Sequence, residues 1–371
     1  MKLKKVGIVT WHWSPNYGGL VQAYALQETI KKLGYEPEFV NYREDLSTFK
    51  KRIIRKLKDF YIMLLQPSLY RSRQKNYDFI ADKLNVGKLY YSYEKLADEA
   101  DGIYDACVCG SDQIWSNNRG YVDPFYYLDF ISENKRISYA PSIGYDKVAD
   151  NLEKDFKKYV DKIRFLSVRE EKGSEIIKNI TNRAAKVVLD PSFLLDKKDW
   201  LKKIENKSKI APDEKYIFLY ILRYNKDYVD FVRDLSEKTG YRIVTLEIKN
   251  IKLDGIETIN CNPLDFIELV NNASYIATDS FHGLALSINL EKQFVVFKRF
   301  KDDEEICQNS RIYNILSKAG LMDRLISSNT PVTFLEDNEI NYDSVAPLIN
   351  KERTQSMKFL SSSLESVIKD I

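Results

Sequence analysis

Hydrophobic positions at the start of the chain alternate between a short apolar run and a longer stretch with helical spacing. Residues 6–10 predict a buried strand, and residues 20–33 repeat apolar side chains at the three- and four-residue intervals of a helix. Gly34 is suited to end this helix, and residues 37–42 begin a second strand. A strand, a helix and a strand in this order predict a βαβ unit, and hence a parallel sheet.

Predicted strands and helices continue to alternate along the first half of the chain. The same alternation starts again after a polar, lysine-rich stretch at residues 196–213. Further strands are predicted at residues 104–110, 136–140, 165–168, 187–189, 216–222, 242–246, 273–278 and 294–297, and further helices at 151–162, 227–239, 263–271 and 283–290. We therefore predict an α/β protein of two Rossmann-like domains facing a cleft, with ligands at the carboxyl ends of the strands. The expected divisions are an N-terminal domain at 1–195, a linker at 196–213, a C-terminal domain at 214–345 and a C-terminal helix at 346–371.

Residues 50–75 differ from the rest of the first half because they hold nine basic residues and one acid among regularly spaced apolar side chains. The pattern predicts one or two basic amphipathic helices, broken at Pro67. One interpretation is contact with an anionic surface, either a membrane or an acidic glycan. A solvated helix face is the simpler alternative.

Composition narrows the class of protein. The net charge of +3 on 371 residues gives no indication of a nucleic-acid partner. Four cysteines without a CxxC pair are typical of buried thiols in a reducing compartment. The N-terminal sequence lacks a signal-peptide pattern and no stretch reaches about 18 apolar residues, so a cytoplasmic location is expected.

An asparagine and two glycines lie in the predicted loop between the first strand and the first helix. Asn16, Gly18 and Gly19 would let a ligand approach the backbone at a helix N-terminus, where an anion is favoured. The loop lacks GxGxxG spacing, so it does not indicate a dinucleotide. An ordinary tight turn is the alternative.

Small and polar side chains directly follow the predicted strand at 104–110. Ser111, Asp112 and Gln113 therefore lie where this fold class builds its sites. Asp112 could orient a hydroxyl group or act as a base, and Gln113 could hydrogen-bond a sugar. The alternative is that Ser111 or Asp112 only caps a helix.

A third candidate is Arg169, which follows the strand at 165–168. Arginine binds phosphate and carboxylate groups through its two-pronged guanidinium. The alternative is a surface arginine paired with Glu170 or Glu171.

The chain has two histidines, and both lie at predicted strand ends. His282 lies between the strand at 273–278 and the helix at 283–290, where it could donate a proton near neutral pH or serve a structural role. His12 either lines the predicted cleft or fills it. No metal-binding pattern, P-loop or GxSxG motif is present, so neither a metal nor a cofactor is expected.

The chain resembles the polysaccharide pyruvyl transferase family at these same places. The similar stretches are WHWSPNYGGLVQAYALQETIKKLGY, YDACVCGSDQIW, PFYYLDF, KRISYAPSIG, LSVREEKGSEI, VVLDPSFLL and ATDSFHGLALSINL, in the order of the family. The resemblance implies a fold like that of GT-B glycosyltransferases. It also implies phosphoenolpyruvate as the donor substrate and a pyruvate ketal on a saccharide as the product, in cell-surface polysaccharide synthesis.

The resemblance also implies roles for individual residues. Arg169 matches the arginine that binds the donor's anionic groups, so Arg169→Ala is expected to lose donor binding without unfolding. His282 matches the proposed general acid. Many members have an Arg-x-His pattern, whereas this chain has Ser280 at the first position, and Arg311 is a candidate replacement for the missing cation. Asp112 is the candidate base.

Two other functions remain open on the sequence. One is a nucleotide-sugar glycosyltransferase of the same two-domain form, and the other is a saccharide-binding protein without activity. For a pyruvyl transferase, the basic segment at 50–75 would contact the inner face of a membrane that carries a lipid-linked acceptor.

Overall fold

The computed structural model describes residues 3–116, 120–205, 209–248, 251–301, 304, 307–327 and 330–370. It divides into two compact units. The first unit comprises Met1–Leu64, Tyr77–Leu194 and Glu352–Ile371, and the second comprises Leu65–Asn76 and Leu195–Lys351. Within the described ranges, no helix has both the length and the apolar character needed to cross a membrane.

The first unit is built on parallel strands, as predicted. Its strands are β1 (Lys5–Val9), β2 (Glu36–Tyr42), β3 (Val86–Tyr90), β4 (Ala106–Cys109), β5 (Arg136–Ser138), β6 (Ser167–Val168) and β7 (Lys186–Val187). The first five form one sheet in the order β3-β2-β1-β4-β5, while β6 and β7 pair separately. The central strand β1 is apolar and almost wholly buried, which explains why its short hydrophobic run predicted it.

Helices connect these strands, so that the βαβ order expected from the sequence is confirmed. They are α1 (Tyr17–Lys32), α2 (Phe49–Leu65), α3 (Pro67–Lys83), α4 (Tyr93–Ile103), α5 (Glu153–Val160) and α6 (Glu171–Thr181). The part of α3 up to Asn76 belongs to the second unit. The break at Pro67 is confirmed, because α2 ends and α3 begins there. Strand β3 was not predicted because it is an edge strand with two exposed residues in its middle, which interrupt any apolar run.

The second unit also has a wholly parallel sheet. Its strands are β8 (Tyr216–Tyr220), β9 (Arg242–Leu246), β10 (Glu257–Ile259), β11 (Tyr275–Thr278), β12 (Phe294–Phe297) and β13 (Leu325–Ile326). Their order is β10-β9-β8-β11-β12-β13. The helices from this point onward are α7 (Lys197–Ile204), α8 (Lys226–Thr239), α9 (Pro263–Asn272), α10 (Phe281–Asn289), α11 (Ser310–Ala319), α12 (Phe334–Asp337) and α13 (Tyr342–Lys369).

The divisions between the units differ from the prediction. Residues 196–213 were expected to be a linker, but they contain α7, which buries Trp200 and begins with a reciprocal capping box between Asp196 and Asp199. The backbone amides of Ile210 and Ala211 donate to Glu268 of α9. The stretch is therefore folded where it is described, and Lys198 and Lys202 lie on the exposed side of α7.

The C-terminal helix also differs from the prediction. Helix α13 begins in the second unit at Tyr342, and its residues from Glu352 onward belong to the first unit. There Arg353 Nε donates to the carbonyl of Phe193 at 2.6 Å, and Leu189 N donates to Ser356 Oγ at 2.9 Å. Hydrophobic spacing predicts a helix but does not indicate which unit the helix packs against.

Candidate functional site

The loop before α1 lies close to the end of β4 in the first unit. The side chain of Asn16 accepts a hydrogen bond from Gly19 N at 3.1 Å and so caps α1, with Gly18 buried in the first turn. A Cβ atom on Gly19 would lie 3.3 Å from a carboxylate oxygen of Asp112. The structure thus brings together two of the regions predicted from the sequence, and a side chain at position 19 would make a tight contact with Asp112.

Asp112 has an unusual backbone conformation at this point. Its φ of 70° lies in the left-handed region, which is uncommon for a residue other than glycine. The Asp112 carboxylate accepts from Gln113 N, and the Asp112 carbonyl accepts from Ser142 N at 2.8 Å. Gln113 packs against Gly144, where a Cβ atom would lie 2.3 Å from the Gln113 amide nitrogen.

Arg169 lies in a buried cluster rather than on an open surface. Its Nη1 donates to Asp190 Oδ2 at 3.0 Å, and its Nε lies 3.9 Å from Glu170 Oε2. Ser111 Oγ also donates to Asp190, at 2.7 Å. The carboxylate of Glu170 accepts from Ser142 Oγ and from two backbone amides, so the cluster joins the ends of four predicted strands. The sequence indicated Arg169 and Ser111 but did not indicate their shared partner Asp190.

His12 is 2% exposed at the end of β1. Its Nδ1 lies 3.1 Å from the carbonyl oxygen of Thr10, and its ring centroid lies 4.9 Å from that of Phe39. Burial lowers the pKa of His12 to about 4; the hydrogen bond with Thr10 opposes this shift, whereas nearby Arg43 adds to it. His12 is therefore neutral at neutral pH and is unsuited to donate a proton there.

In the second unit, the turn between β11 and α10 carries His282. Ser280 caps α10 by accepting from Gly283 N, and Ser280 N donates to Thr278 Oγ1. A Cβ atom on Gly283 would lie only 2.5 Å from Thr278 Oγ1, so glycine allows α10 to pack closely on β11. His282 lies in the first turn of α10 and is 8% exposed, with its ring edge-on to that of Phe281 at 5.3 Å.

Arg311, the candidate replacement cation, contacts the same aromatic ring. Its guanidinium lies 6.0 Å from the centroid of Phe281, and its Nε donates to the carbonyl of Gln308 at 3.3 Å. Phe281 therefore contacts both Arg311 and His282. Arg311 is buried at the start of α11.

A second arginine, which was not predicted from the sequence, lies at the turn before His282. Arg299 Nη2 donates to the carbonyl of Asp279 at 2.8 Å and lies 3.4 Å from its carboxylate. The Asp279 carboxylate also accepts from the amides of Leu222 and Arg223. Burial raises the pKa of Asp279, and Arg299 and the two amides oppose that shift. The run Lys-Arg-Phe-Lys directly after β12 was the available signal for these cations.

A cavity of about 530 Å³ lies at these strand ends of the second unit. Cationic side chains share its lining with aromatic ones, including Arg223, Arg299, Lys298, Tyr228 and Phe300. Carboxylates line the cavity too, since Glu304 pairs with Arg223 and Asp279 with Arg299. The lining therefore offers cations, carboxylates and aromatic rings to a polar ligand that has a flat or apolar part. Within the residues that the structure describes, no group of three or more His, Cys, Asp or Glu side chains could hold a metal ion.

Comparison with known proteins identifies the family. The sequence model named polysaccharide pyruvyl transferase matches residues 16–299, about three quarters of the chain. The chain belongs to the polysaccharide pyruvyl transferase family. No curated protein sequence matches it significantly. The family match contains every candidate site residue except His12 and Arg311.

Solved structures share the fold of this family member. A UDP-GlcNAc 2-epimerase from Neisseria meningitidis, bound to UDP-GlcNAc, matches with a TM-score of 0.55 and 12% identity over 96% of this chain and 99% of its own. The UDP-N-acetylglucosamine 2-epimerase from Rickettsia bellii matches with a TM-score of 0.52 and 11% identity over 98% of both chains. The wall teichoic acid polymerase TagF matches with a TM-score of 0.51 and 13% identity over 100% of this chain and 90% of its own. At these identities the likeness concerns the fold alone, and it confirms the predicted GT-B-like class.

This member of the pyruvyl transferase family departs from the expected Arg-x-His pattern at a position whose structural role is now clear. Ser280 caps α10, a function that an arginine side chain does not perform in the same way. Arg299 brings a guanidinium to the carbonyl of Asp279, the residue just before Ser280. A cation is thus present beside this turn although the sequence motif lacks one.

Proposed function

We propose that this pyruvyl transferase family member transfers the pyruvyl group of phosphoenolpyruvate to hydroxyl groups of a saccharide, forming a pyruvate ketal. The family match over residues 16–299 carries the proposal, because it contains both the strand end at Arg169 and the turn with His282. The burial of His282 and its position in the first turn of α10 support a positioned side chain rather than a mobile surface group.

The proposed reaction begins with proton transfer from His282 to the methylene carbon of the donor. The adjacent carbon then has cationic character, and the oxygen of an acceptor hydroxyl forms a bond to it while its proton leaves. A carboxylate base accepts that proton, and Asp112, which lies beside the first turn of α1, is the candidate expected from the sequence. The bond from this carbon to the phosphate oxygen then breaks. A second hydroxyl of the saccharide adds to the same carbon and gives its proton to the departing phosphate, which completes the ketal. Phosphate is the second product.

Charge on the donor requires cations beside the acid. Phosphoenolpyruvate carries a phosphate and a carboxylate, and preorganised cations stabilise such anions during reaction. Arg299 is the best-supported candidate in the second unit, because its guanidinium contacts the residue before Ser280 and lines the cavity there. Arg311 remains a candidate through its contact with Phe281, and Arg169 remains the candidate from the first unit.

A direct test is to incubate the protein with phosphoenolpyruvate and a set of nucleotide-linked and lipid-linked saccharides. Mass spectrometry should detect addition of a pyruvate ketal, together with one phosphate released per ketal formed. Phosphate release without ketal would indicate hydrolysis only. Absence of both products with every acceptor class would count against the proposal.

A nucleotide-sugar glycosyltransferase is the competing function, because cations and aromatic rings in the second-unit cavity also suit a nucleoside diphosphate. Thermal unfolding should be followed with phosphoenolpyruvate, UDP and GDP, since a ligand that binds the folded state raises the melting temperature. Stabilisation by phosphoenolpyruvate alone supports pyruvyl transfer. Stabilisation by a nucleoside diphosphate alone supports glycosyl transfer.

A further inference from the structure

Helix α2 exposes a continuous apolar face. All of its residues are described, and none is buried. Phe49, Ile53, Leu57, Phe60 and Leu64 recur every three or four residues and so lie along one side of the helix. Their side chains are between 40% and 72% exposed. Ordinary protein surfaces expose apolar residues singly, whereas a contiguous apolar stripe of this length indicates an interaction surface.

The opposite side of α2 is the side that contacts the first unit. Arg55 donates to Asp45 at 3.4 Å and to the hydroxyl of Tyr77 at 3.2 Å. Arg52 lies 5.4 Å from the ring centroid of Tyr91, and Lys51 donates to the carbonyl of Glu44. The helix is therefore held through polar side chains, which directs its apolar stripe away from the protein.

Charge on α2 identifies the kind of partner. The helix carries six basic residues and the single acid Asp59. Lys50 and Lys56 are exposed on either side of the apolar stripe, and Lys58 is exposed further round the helix. Apolar side chains flanked by lysine and arginine are typical of helices that lie in the interface of an anionic membrane. A second copy of the chain would place two such positive helices side by side, which their mutual repulsion disfavours.

We propose that α2 docks the protein on an anionic lipid surface, with the apolar stripe inserted between headgroups and the lysines beside phosphates. The predicted contact surface at residues 50–75 is thereby limited to α2, because the next helix, α3, has Leu69, Ser72 and Asn76 buried. If the proposed function also holds, docking would keep the enzyme where a lipid-linked saccharide acceptor lies. The docking itself does not depend on that activity.

Flotation of the full-length protein with vesicles tests the proposal. Vesicles of phosphatidylcholine mixed with phosphatidylglycerol should bind at least about tenfold more protein than vesicles of phosphatidylcholine alone. Raising the salt from about 0.1 M to about 1 M shortens the Debye length from about 10 Å to about 3 Å and should remove most of this preference. No binding to the anionic vesicles at low salt would overturn the proposal.

Variants separate the apolar and charged contributions. Combining Leu57→Ser, Phe60→Ser and Leu64→Ser should lower binding at least about tenfold. Its control combines Met322→Ser and Leu348→Ser, which remove exposed apolar side chains elsewhere. Lys56→Glu with Lys58→Glu should also lower binding about tenfold or more, and its control is Lys147→Glu with Lys369→Glu, both highly exposed lysines.

Circular dichroism should be used to measure the helix content of each variant, and sedimentation velocity to measure its oligomeric state. If the serine variant loses helix, the lysine variant still carries the test, because it keeps every apolar residue of the stripe. Equal lipid binding by wild type and both α2 variants would overturn the proposal. So would dissociation of an oligomer by the serine changes without any effect on lipid binding, since the stripe would then be a contact between protein chains.

Discussion

The guanidinium of Arg169 and the carboxylate of Asp190 lie 3.0 Å apart, and neither side chain is more than 2% exposed. A buried charge is tolerated when an opposite charge and hydrogen bonds compensate it. Glu170, 1% exposed, lies beside the same guanidinium. Arg169 therefore holds together two strand ends of the first unit, whatever part it takes in donor binding.

Removal of Arg169 should destabilise the first unit. We expect Arg169→Ala to lower the free energy of unfolding by about 3–5 kcal/mol, because two buried carboxylates lose their cation. This replaces the expectation from sequence that the variant stays folded. Urea denaturation gives the measurement, and Arg164→Ala is the control, since Arg164 pairs with Asp370 at a partly exposed site where about 0–1 kcal/mol is expected.

The double variant sharpens this prediction. Adding Asp190→Asn to Arg169→Ala removes one of the uncompensated charges, so the combined loss should be smaller than the sum of the two single losses. Strict additivity would show that the pair does not contribute as a unit.

Replacement of His282 should separate binding from turnover. We expect His282→Asn to fold and to bind phosphoenolpyruvate but to lose at least about 100-fold in turnover, because asparagine cannot deliver the proton. Calorimetry measures donor affinity and phosphate release measures turnover. Wild-type activity should also fall toward alkaline pH. Near-normal turnover in a folded variant would show that His282 is structural; the pKa of His12, about 4, makes it a poor substitute acid.

The two candidate cations of the second unit can be compared directly. Arg299→Gln should weaken phosphoenolpyruvate binding about 10- to 100-fold, as expected for the loss of a charge-assisted hydrogen bond. Arg311→Gln should weaken it similarly if Arg311 contacts the donor. Arg233→Gln is the control, because Arg233 is half-exposed and donates to the carbonyl of Asp254. Unchanged affinity in a folded Arg299→Gln variant would exclude Arg299 from the donor site.

His12 should make stability depend on pH. Between about pH 6.5 and about pH 4, the unfolded chain binds a proton at His12 and the folded protein does not. The free energy of unfolding should therefore fall as pH decreases through this window, by up to about 3 kcal/mol from this residue. The glutamine of His12→Gln cannot bind this proton. The free energy of unfolding of that variant should therefore fall less steeply between about pH 7 and about pH 5, measured in the same buffers. Identical slopes for both proteins would contradict the burial of a neutral imidazole.

The sequence predicted those parts of the fold that depend on local pattern. Strand β1, helix α1 and the β11–α10 turn were expected because apolar runs, helical spacing and a polar junction are all local signals. The approach of Gly19 to Asp112 was not predicted as a contact, although it agrees with the rule that parallel strands end at one edge of a sheet.

Pairings between distant residues could not be predicted in this way. Asp190 lies 21 positions after Arg169, and no local pattern indicates that the two side chains meet. Arg299 likewise lies 20 positions after Asp279, in a run of charges that resembles an ordinary surface loop. Which partner neutralises a buried charge is decided by three-dimensional packing.

The return of α13 to the first unit has a consequence for synthesis on the ribosome. Leu360, Leu364 and Val367 of α13 are fully buried, and they are translated after residue 351. All of residues 195–351 emerge before them, so the second unit is complete first although it begins later in the gene. Domains usually finish folding in order from the N-terminus during synthesis. Here we expect the N-terminal unit to complete its core only after the second unit has emerged, when α13 becomes available.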